Sequence, residues 1–339
     1  MQGLPPIRER FGCTPGQLPL DELLAAGEPV VLRGIGRGWG LVEAAHEGVA
    51  EAMAYLRGFD NGRQVPYSYG PPEIGGRPYY NEDCTALNFE VRRGSVSQVL
   101  DEVAAHLGDP RPPTYYLASL LVDESLPGLR AGNDLDFAAH GLQVRPSIWI
   151  GNRVIASCHH DVPNNIACCA VGRRRFTLFP PGQVANLYPG PLELTPGGQA
   201  VSMVDLAAPD LARFPRFAQA LEHGMTTVLE PGDALFIPSM WWHHVQGLEP
   251  LNVLVNYWWG SMPAWIPAPM PAMYHAMWSL RDRPEAEKQA WRAMFDYYVF
   301  GDATQAGAHL PPQARQALAP IDEDMARQLR AMLIARLNR

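Results

Sequence analysis

Apolar and polar positions change rhythm several times along the chain. Residues 19–57 mix a short helical pattern with an apolar strand at 29–33, and residues 65–80 alternate aromatics and prolines in irregular strands and loops. Val96, Val99, Leu100, Val103 and Leu107 then recur at the spacing of one helix face, which predicts an amphipathic helix over 96–107. Pro110-Arg-Pro-Pro113 ends it, and a strand restarts at 114–118. In the middle third, residues 147–150, 165–171, 175–179, 226–229, 234–237 and 252–258 are short, turn-bounded runs rich in aromatic and branched side chains. Gly172 turns one strand back on the next, and Pro231-Gly-Asp233 makes a tight turn.

Such a series of short antiparallel strands predicts a mainly β protein, a sandwich or jelly-roll barrel. Residues 263–271 form a proline-rich link. Beyond it, 274–298 and 325–337 carry helical spacing, with Trp278, Trp291 and Phe295 among the apolar positions. Large aromatics on such helices are expected to pack on the barrel or on a second subunit. The expected organisation is a mixed α/β segment packing on the barrel (1–110), the barrel core (111–262) and a helical region serving dimerisation (263–339).

Composition narrows the chemistry. Among 339 residues, 31 glycines and 33 prolines make up about a fifth of the chain against a usual ~12%, which fits a turn-rich strand protein. Lysine occurs once, at Lys288, so 26 of the 27 basic residues are arginine. Schiff-base chemistry and a P-loop both need a lysine in a suitable place, and neither is provided for. A net charge of −8 argues against a nucleic-acid binder. No apolar run reaches the ~18 residues of a membrane span, and residues 1–12 lack a signal-peptide core, so a cytoplasmic location is expected. The five cysteines are irregularly spaced. Neighbouring Cys168 and Cys169 would face opposite sides of a strand as small buried residues.

Four of the ten histidines fall in two adjacent pairs, His159-His160 and His243-His244. On an extended chain His159 and Asp161 share a face while His160 points away. A third ligand can come from Trp241-Trp-His243, 82 residues beyond Asp161. Two histidines and one carboxylate leave the other positions of a metal open, the facial arrangement of non-haem Fe(II) oxygenases. Taken alone, a His-x-Asp step or a Trp-His pair is equally explained by surface or core packing.

Their surroundings carry a resemblance. The runs His159-His-Asp-Val-Pro-Asn-Asn165, Gly172-Arg-Arg-Arg-Phe-Thr-Leu-Phe-Pro-Pro181 and Leu187-Tyr-Pro-Gly190 resemble the cupin-like JmjC family. So do Glu230-Pro-Gly-Asp-Ala-Leu-Phe-Ile-Pro238, Trp241-Trp-His-His244 and Asn252-Val-Leu-Val-Asn-Tyr-Trp258, and the branch they resemble is that of the asparaginyl hydroxylase that inhibits hypoxia-inducible factor. The resemblance implies a double-stranded β-helix that uses Fe(II), 2-oxoglutarate and O2 and releases succinate and CO2. It implies His159, Asp161 and His243 as iron ligands and His160 and His244 as non-ligands. It also implies a homodimer through the C-terminal helices.

The same resemblance assigns the 2-oxoglutarate pocket. Arg174 stands where the family has a lysine that pairs with the distal carboxylate; arginine can make that contact with two parallel hydrogen bonds. In a chain with one lysine, arginine there follows the compositional bias. Strand alternation sets Arg174 opposite Arg173 and Arg175. Tyr116 matches the tyrosine whose hydroxyl reaches the same carboxylate, and Asn165 and Asn256 match asparagines near the metal. Ala156 occupies a position where the family carries Thr or Ser, so either Ser157 takes that contact through a local shift or it is absent. Tyr67, Tyr69, Tyr79, Tyr80 and Trp149 are candidates for substrate contact, with plain packing as the alternative.

The expected function is therefore an oxygenase that hydroxylates a protein side chain or a small molecule. Two alternatives stand beside it: another metal-dependent cupin activity, isomerase or hydrolase, and a non-catalytic binding module. Asp161 and Arg174 argue against the first, and the intact triad against the second.

Overall fold

The computed structural model describes residues 3–338 and divides the chain into two compact units, the first running to Ser261 and the second starting at Met262. Among the described residues the first unit contains thirteen strands. They are β1 (Arg8–Arg10), β2 (Val30–Leu32), β3 (Val65–Gly70), β4 (Glu90–Gly94), β5 (Thr114–Leu121), β6 (Ser147–Gly151) and β7 (Ile155–His160). The rest are β8 (Asn164–Val171), β9 (Arg174–Phe179), β10 (Met225–Leu229), β11 (Ala234–Ile237), β12 (Trp242–Gly247) and β13 (Asn252–Trp259). Nine of them form one sheet in the order β1-β2-β11-β8-β13-β6-β5-β3-β4, and four form a second, β10-β9-β12-β7. The jelly-roll reading and the fold agree.

Strand alternation explains how the layers separate. Along β8, Ile166, Cys168 and Ala170 pack on one face of the large sheet with helix residues such as Leu41, Leu56 and Leu100. Ala167 and Cys169 point to the other face, into the space between the sheets, where Phe176, Leu178 and Val245 of the small sheet meet them. Both faces of β8 are thus covered, and all eight of its residues are buried. A third cluster, with Cys158, Phe179 and Trp242 against Leu187, Val204 and Phe217, covers the outer face of the small sheet. The helix expected at 96–107 forms at Val96–Ala105, where a Ser95/Gln98 capping box satisfies its first amides.

Two expectations change. The segment before residue 111 does not only pack on the barrel: β2 pairs with β11 and β3 with β5, so its strands extend the large sheet at both ends. An open sheet edge presents unpaired N–H and C=O groups, and these strands satisfy them. In the second unit the helical spacing over 274–298 splits into Met270–Leu280 and Glu285–Phe295. Pro284 lies between them; without an N–H, and clashing with the preceding turn, it cannot sit inside one continuous helix. Trp278 and Phe300 of this unit are 77% and 76% exposed. No helix among the described residues is long and apolar enough to cross a membrane.

The turn predicted at Pro231-Gly-Asp233 ties distant parts of the first unit together. Gly232 has φ +93, and a Cβ there would stand 3.1 Å from the Arg37 Cα, so only glycine fits without strain. The Asp233 carboxylate accepts hydrogen bonds from the amides of Gly34 (2.8 Å) and Glu230 (3.0 Å) and from Arg33 Nη1 (2.6 Å). Both partners of this ion pair are largely removed from solvent, so removing one strands the other charge. Asp233→Ala should cost about 3 kcal/mol in urea unfolding; a loss under about 1 kcal/mol would show that water replaces the carboxylate freely.

Candidate metal centre

The register of the small sheet builds the site. β12 pairs with β7 so that His243 lies opposite His159, and Asp161 follows just beyond the end of β7. One donor atom from each of His159, Asp161 and His243 lies within 4.8 Å of the others. Asp161 Oδ2 is 3.7 Å from His243 Nε2, and the two imidazole rings are 4.3 Å apart between centroids. The turns carrying these residues are laced together. The Met240 amide donates to the Asp161 carbonyl (2.8 Å), and the Ser239 amide donates to Asn164 Oδ1 (3.0 Å).

Each histidine is aimed by its own backbone. His159 Nδ1 lies 2.8 Å from the Ser157 carbonyl oxygen, and His243 Nδ1 lies 3.0 Å from that of Trp241. A carbonyl only accepts, so Nδ1 carries the proton and each Nε2 lone pair is free for a metal. Burial, reinforced by the neighbouring His159, pushes the His243 pKa down to about 4, leaving it neutral near pH 7 as a ligand must be. Two imidazoles and one carboxylate suit a divalent first-row metal such as Fe(II), with positions left over for other ligands. His160 and His244 lie outside this group: His160 packs on the Trp242 ring at 4.6 Å, and burial lowers the His244 pKa to about 4.

A bulge beside the site favours the second of the two alternatives for Ser157, that its contact is absent. Between the pairs His159–His243 and Ala156–Val245, β7 advances three residues while β12 advances two. The extra residue reverses the alternation, so that Ala156 faces the cavity together with His159. Ser157 is turned away, and its hydroxyl accepts a hydrogen bond from Arg77 Nε (2.9 Å).

The remaining residues line a cavity of ≈ 170 Å³ that includes the triad. Tyr116, Asn165, Arg174 and Asn256 all face it. Asn256 Nδ2 donates to Asn165 Oδ1 (2.9 Å), while Asn256 Oδ1 is buried without a partner. Burial raises the Tyr116 pKa, and the adjacent Arg174 guanidinium works in the opposite direction. Arg174 is only 5% exposed, its Nε has no hydrogen-bond partner, and no carboxylate among the described residues pairs with it. On either side, Arg173 bridges to Glu249 at 2.6 Å and Arg175 is exposed, as alternation requires.

Of the aromatics singled out for substrate contact, only Trp149 lines the cavity. Tyr69 packs on Tyr115 and beneath Arg92, Tyr67 packs against the helix-side core, Tyr79 donates to the Ser202 carbonyl, and Tyr80 is buried. Seven lining residues were not anticipated, Trp258 and Ser119 among them. Trp258 shares a strand face with Asn256, so alternation along β13 was the available signal. Ser119 sits at a register shift in β5 with φ +54, and nothing in the sequence marks it.

Comparison with known proteins finds relatives of this chain. The cupin-like domain family matches residues 15–264. HSPB1-associated protein 1 of Homo sapiens is 36% identical over 126 residues, 36% of this chain and 25% of that protein, so the match spans about a quarter of the relative's length. Lysine-specific demethylase 8 of Danio rerio is 27% identical over 264 residues, 76% of this chain and 59% of that protein. Among solved structures, the X-ray structure of E. coli ycfD aligns over 95% of this chain and 68% of that one, with 16% identity and a TM-score of 0.42.

Replacing His243 with alanine should abolish stoichiometric binding of Fe(II) or Co(II) measured by anaerobic titration, whereas His244→Ala should retain it. The opposite pattern would assign the third ligand to the wrong histidine.

Proposed function

The chain belongs to the cupin-like (JmjC-type) family, and from that premise we propose that it is an Fe(II)- and 2-oxoglutarate-dependent oxygenase hydroxylating a protein side chain or a small molecule. The observation that carries this reading is Arg174: a buried guanidinium, facing the same cavity as the triad, with no carboxylate among the described residues to pair with. A buried cation without an anion is costly, and a dicarboxylate entering the cavity would remove that cost.

In this reading His159, Asp161 and His243 would hold Fe(II). When bound, the iron together with 2-oxoglutarate and O2 supplies the oxidising power, and 2-oxoglutarate leaves as succinate and CO2. The chain itself binds, orients and excludes water. Arg174 and the Tyr116 hydroxyl take the distal carboxylate, with the guanidinium able to present two parallel N–H groups. The Asn165–Asn256 pair offers amide groups on the large-sheet side of the cavity. Phe176, Trp149 and Trp258 wall it against bulk water, which strengthens the Arg174–carboxylate attraction. A protein substrate is favoured over a small molecule by the relatives named as lysine-specific demethylases. The isomerase or hydrolase alternative gives Arg174 no role.

Arginine and lysine both carry the charge, so Arg174→Lys should keep measurable 2-oxoglutarate binding by the metal-loaded protein. Arg174→Ala should weaken it by at least about tenfold, the range for a hydrogen bond to a charged group. Normal binding by both variants would leave Arg174 without the proposed role.

A further inference from the structure

We propose that the indole N–H of Trp149 is a third donor to the distal carboxylate of the co-substrate, beside Arg174 and Tyr116; this rests on the reading of the cavity as a 2-oxoglutarate pocket. Trp149 sits on β6 opposite Leu254 of β13 and faces the cavity, with its ring 5.7 Å from that of Tyr116. Its Nε1 is buried and has no hydrogen-bond partner. An indole is a donor only, so a buried, unpartnered N–H is a standing cost unless an acceptor arrives. The other ring against it cannot help: Trp258, 5.8 Å away at 79°, is also a donor without a partner.

A distal carboxylate has room for such a donor. An ionised carboxylate has about four lone-pair sites, and Arg174 and Tyr116 together fill at most three. Ala156, which faces the same cavity, brings no hydroxyl, and Ser157 is committed to Arg77 on the other side of the strand. Trp149 is the neighbour of Tyr116 on the adjoining strand, since Tyr116 pairs with Gly151 two residues further along β6. The indole therefore brings to this cavity, beside Tyr116, a donor that Ala156 lacks, and in this proposal it serves the second carboxylate rather than the keto acid end.

The test uses the full-length chain loaded with Zn(II), which is redox-inert and diamagnetic. Its affinities for 2-oxoglutarate and for 2-oxopentanoate, the same length of chain without the distal carboxylate, are measured by calorimetry for the wild type and Trp149→Phe. Alongside, the indole ¹⁵N–H resonance missing from Trp149→Phe is followed in the wild type. Trp149→Phe should bind 2-oxoglutarate about tenfold more weakly and 2-oxopentanoate within about twofold of the wild type, and the wild-type resonance should move with 2-oxoglutarate alone. Equal weakening for both ligands would reduce Trp149 to packing, and either no weakening or an unmoved resonance would also overturn the proposal. If the wild type binds 2-oxoglutarate no better than 2-oxopentanoate, the pocket reading itself fails and this inference falls with it.

Discussion

The register between β7 and β12 is the constraint on which the site depends. It sets His159 opposite His243, and the hydrogen bond from the Met240 amide to the Asp161 carbonyl fixes Asp161, the candidate carboxylate ligand, just past the strand end. In a sheet with a side-chain period of two, a slip of one residue would carry His243 to the outer face and present His244 instead. That slip is opposed from both sides. Cys158 and Trp242 fill the outer cluster, while Leu178 and Val245 fill the space between the sheets, so a shifted strand would bury the wrong residues on both faces. The Nδ1 contacts of both histidines to carbonyls two residues earlier in the chain then aim the rings without any help from a metal.

Beyond the triad, the inter-sheet space changes character over a short distance. It is apolar around Phe176, Leu235 and Ile237, yet it also holds a buried arginine, a paired asparagine couple and two indole N–H groups without partners. Core packing gives no reason to collect unpaired polar atoms, because each costs free energy when dry. A small ligand with acceptor oxygens resolves several of these costs together. This is why Arg174 bears on the proposed function more strongly than the triad does: three side chains able to hold a metal are compatible with many cupin activities, whereas a buried cation with no carboxylate partner among the described residues favours an anion beside them.

Much of this was legible in the chain. Period-two alternation separates His159 and Asp161 from His160, sets Arg174 on the face opposite Arg173 and Arg175, and sets Cys168 and Cys169 on opposite sheet faces; all of these are read directly from spacing, while the resemblance chose Arg174 as the inward one. The choice between Ser157 and no hydroxyl stayed open because a bulge leaves no mark in the residues that form it, and one extra residue exchanges the faces of Ala156 and Ser157. Trp258 was overlooked although it lies two residues from Asn256 on the same strand. Which strands of the first 110 residues join the large sheet depends on long-range pairing, β2 with β11 across some 200 positions, which local pattern does not encode. The split of the first C-terminal helix, by contrast, was written in Pro284.

The oxygenase reading stands on metal and co-substrate sharing one cavity, and a spectrum reads that directly. Purified protein is loaded with Fe(II) without oxygen and titrated with 2-oxoglutarate. The account predicts a weak visible charge-transfer band that saturates with 2-oxoglutarate, and slow formation of succinate once air is admitted. Folded, iron-loaded protein that shows neither the band nor succinate would contradict it.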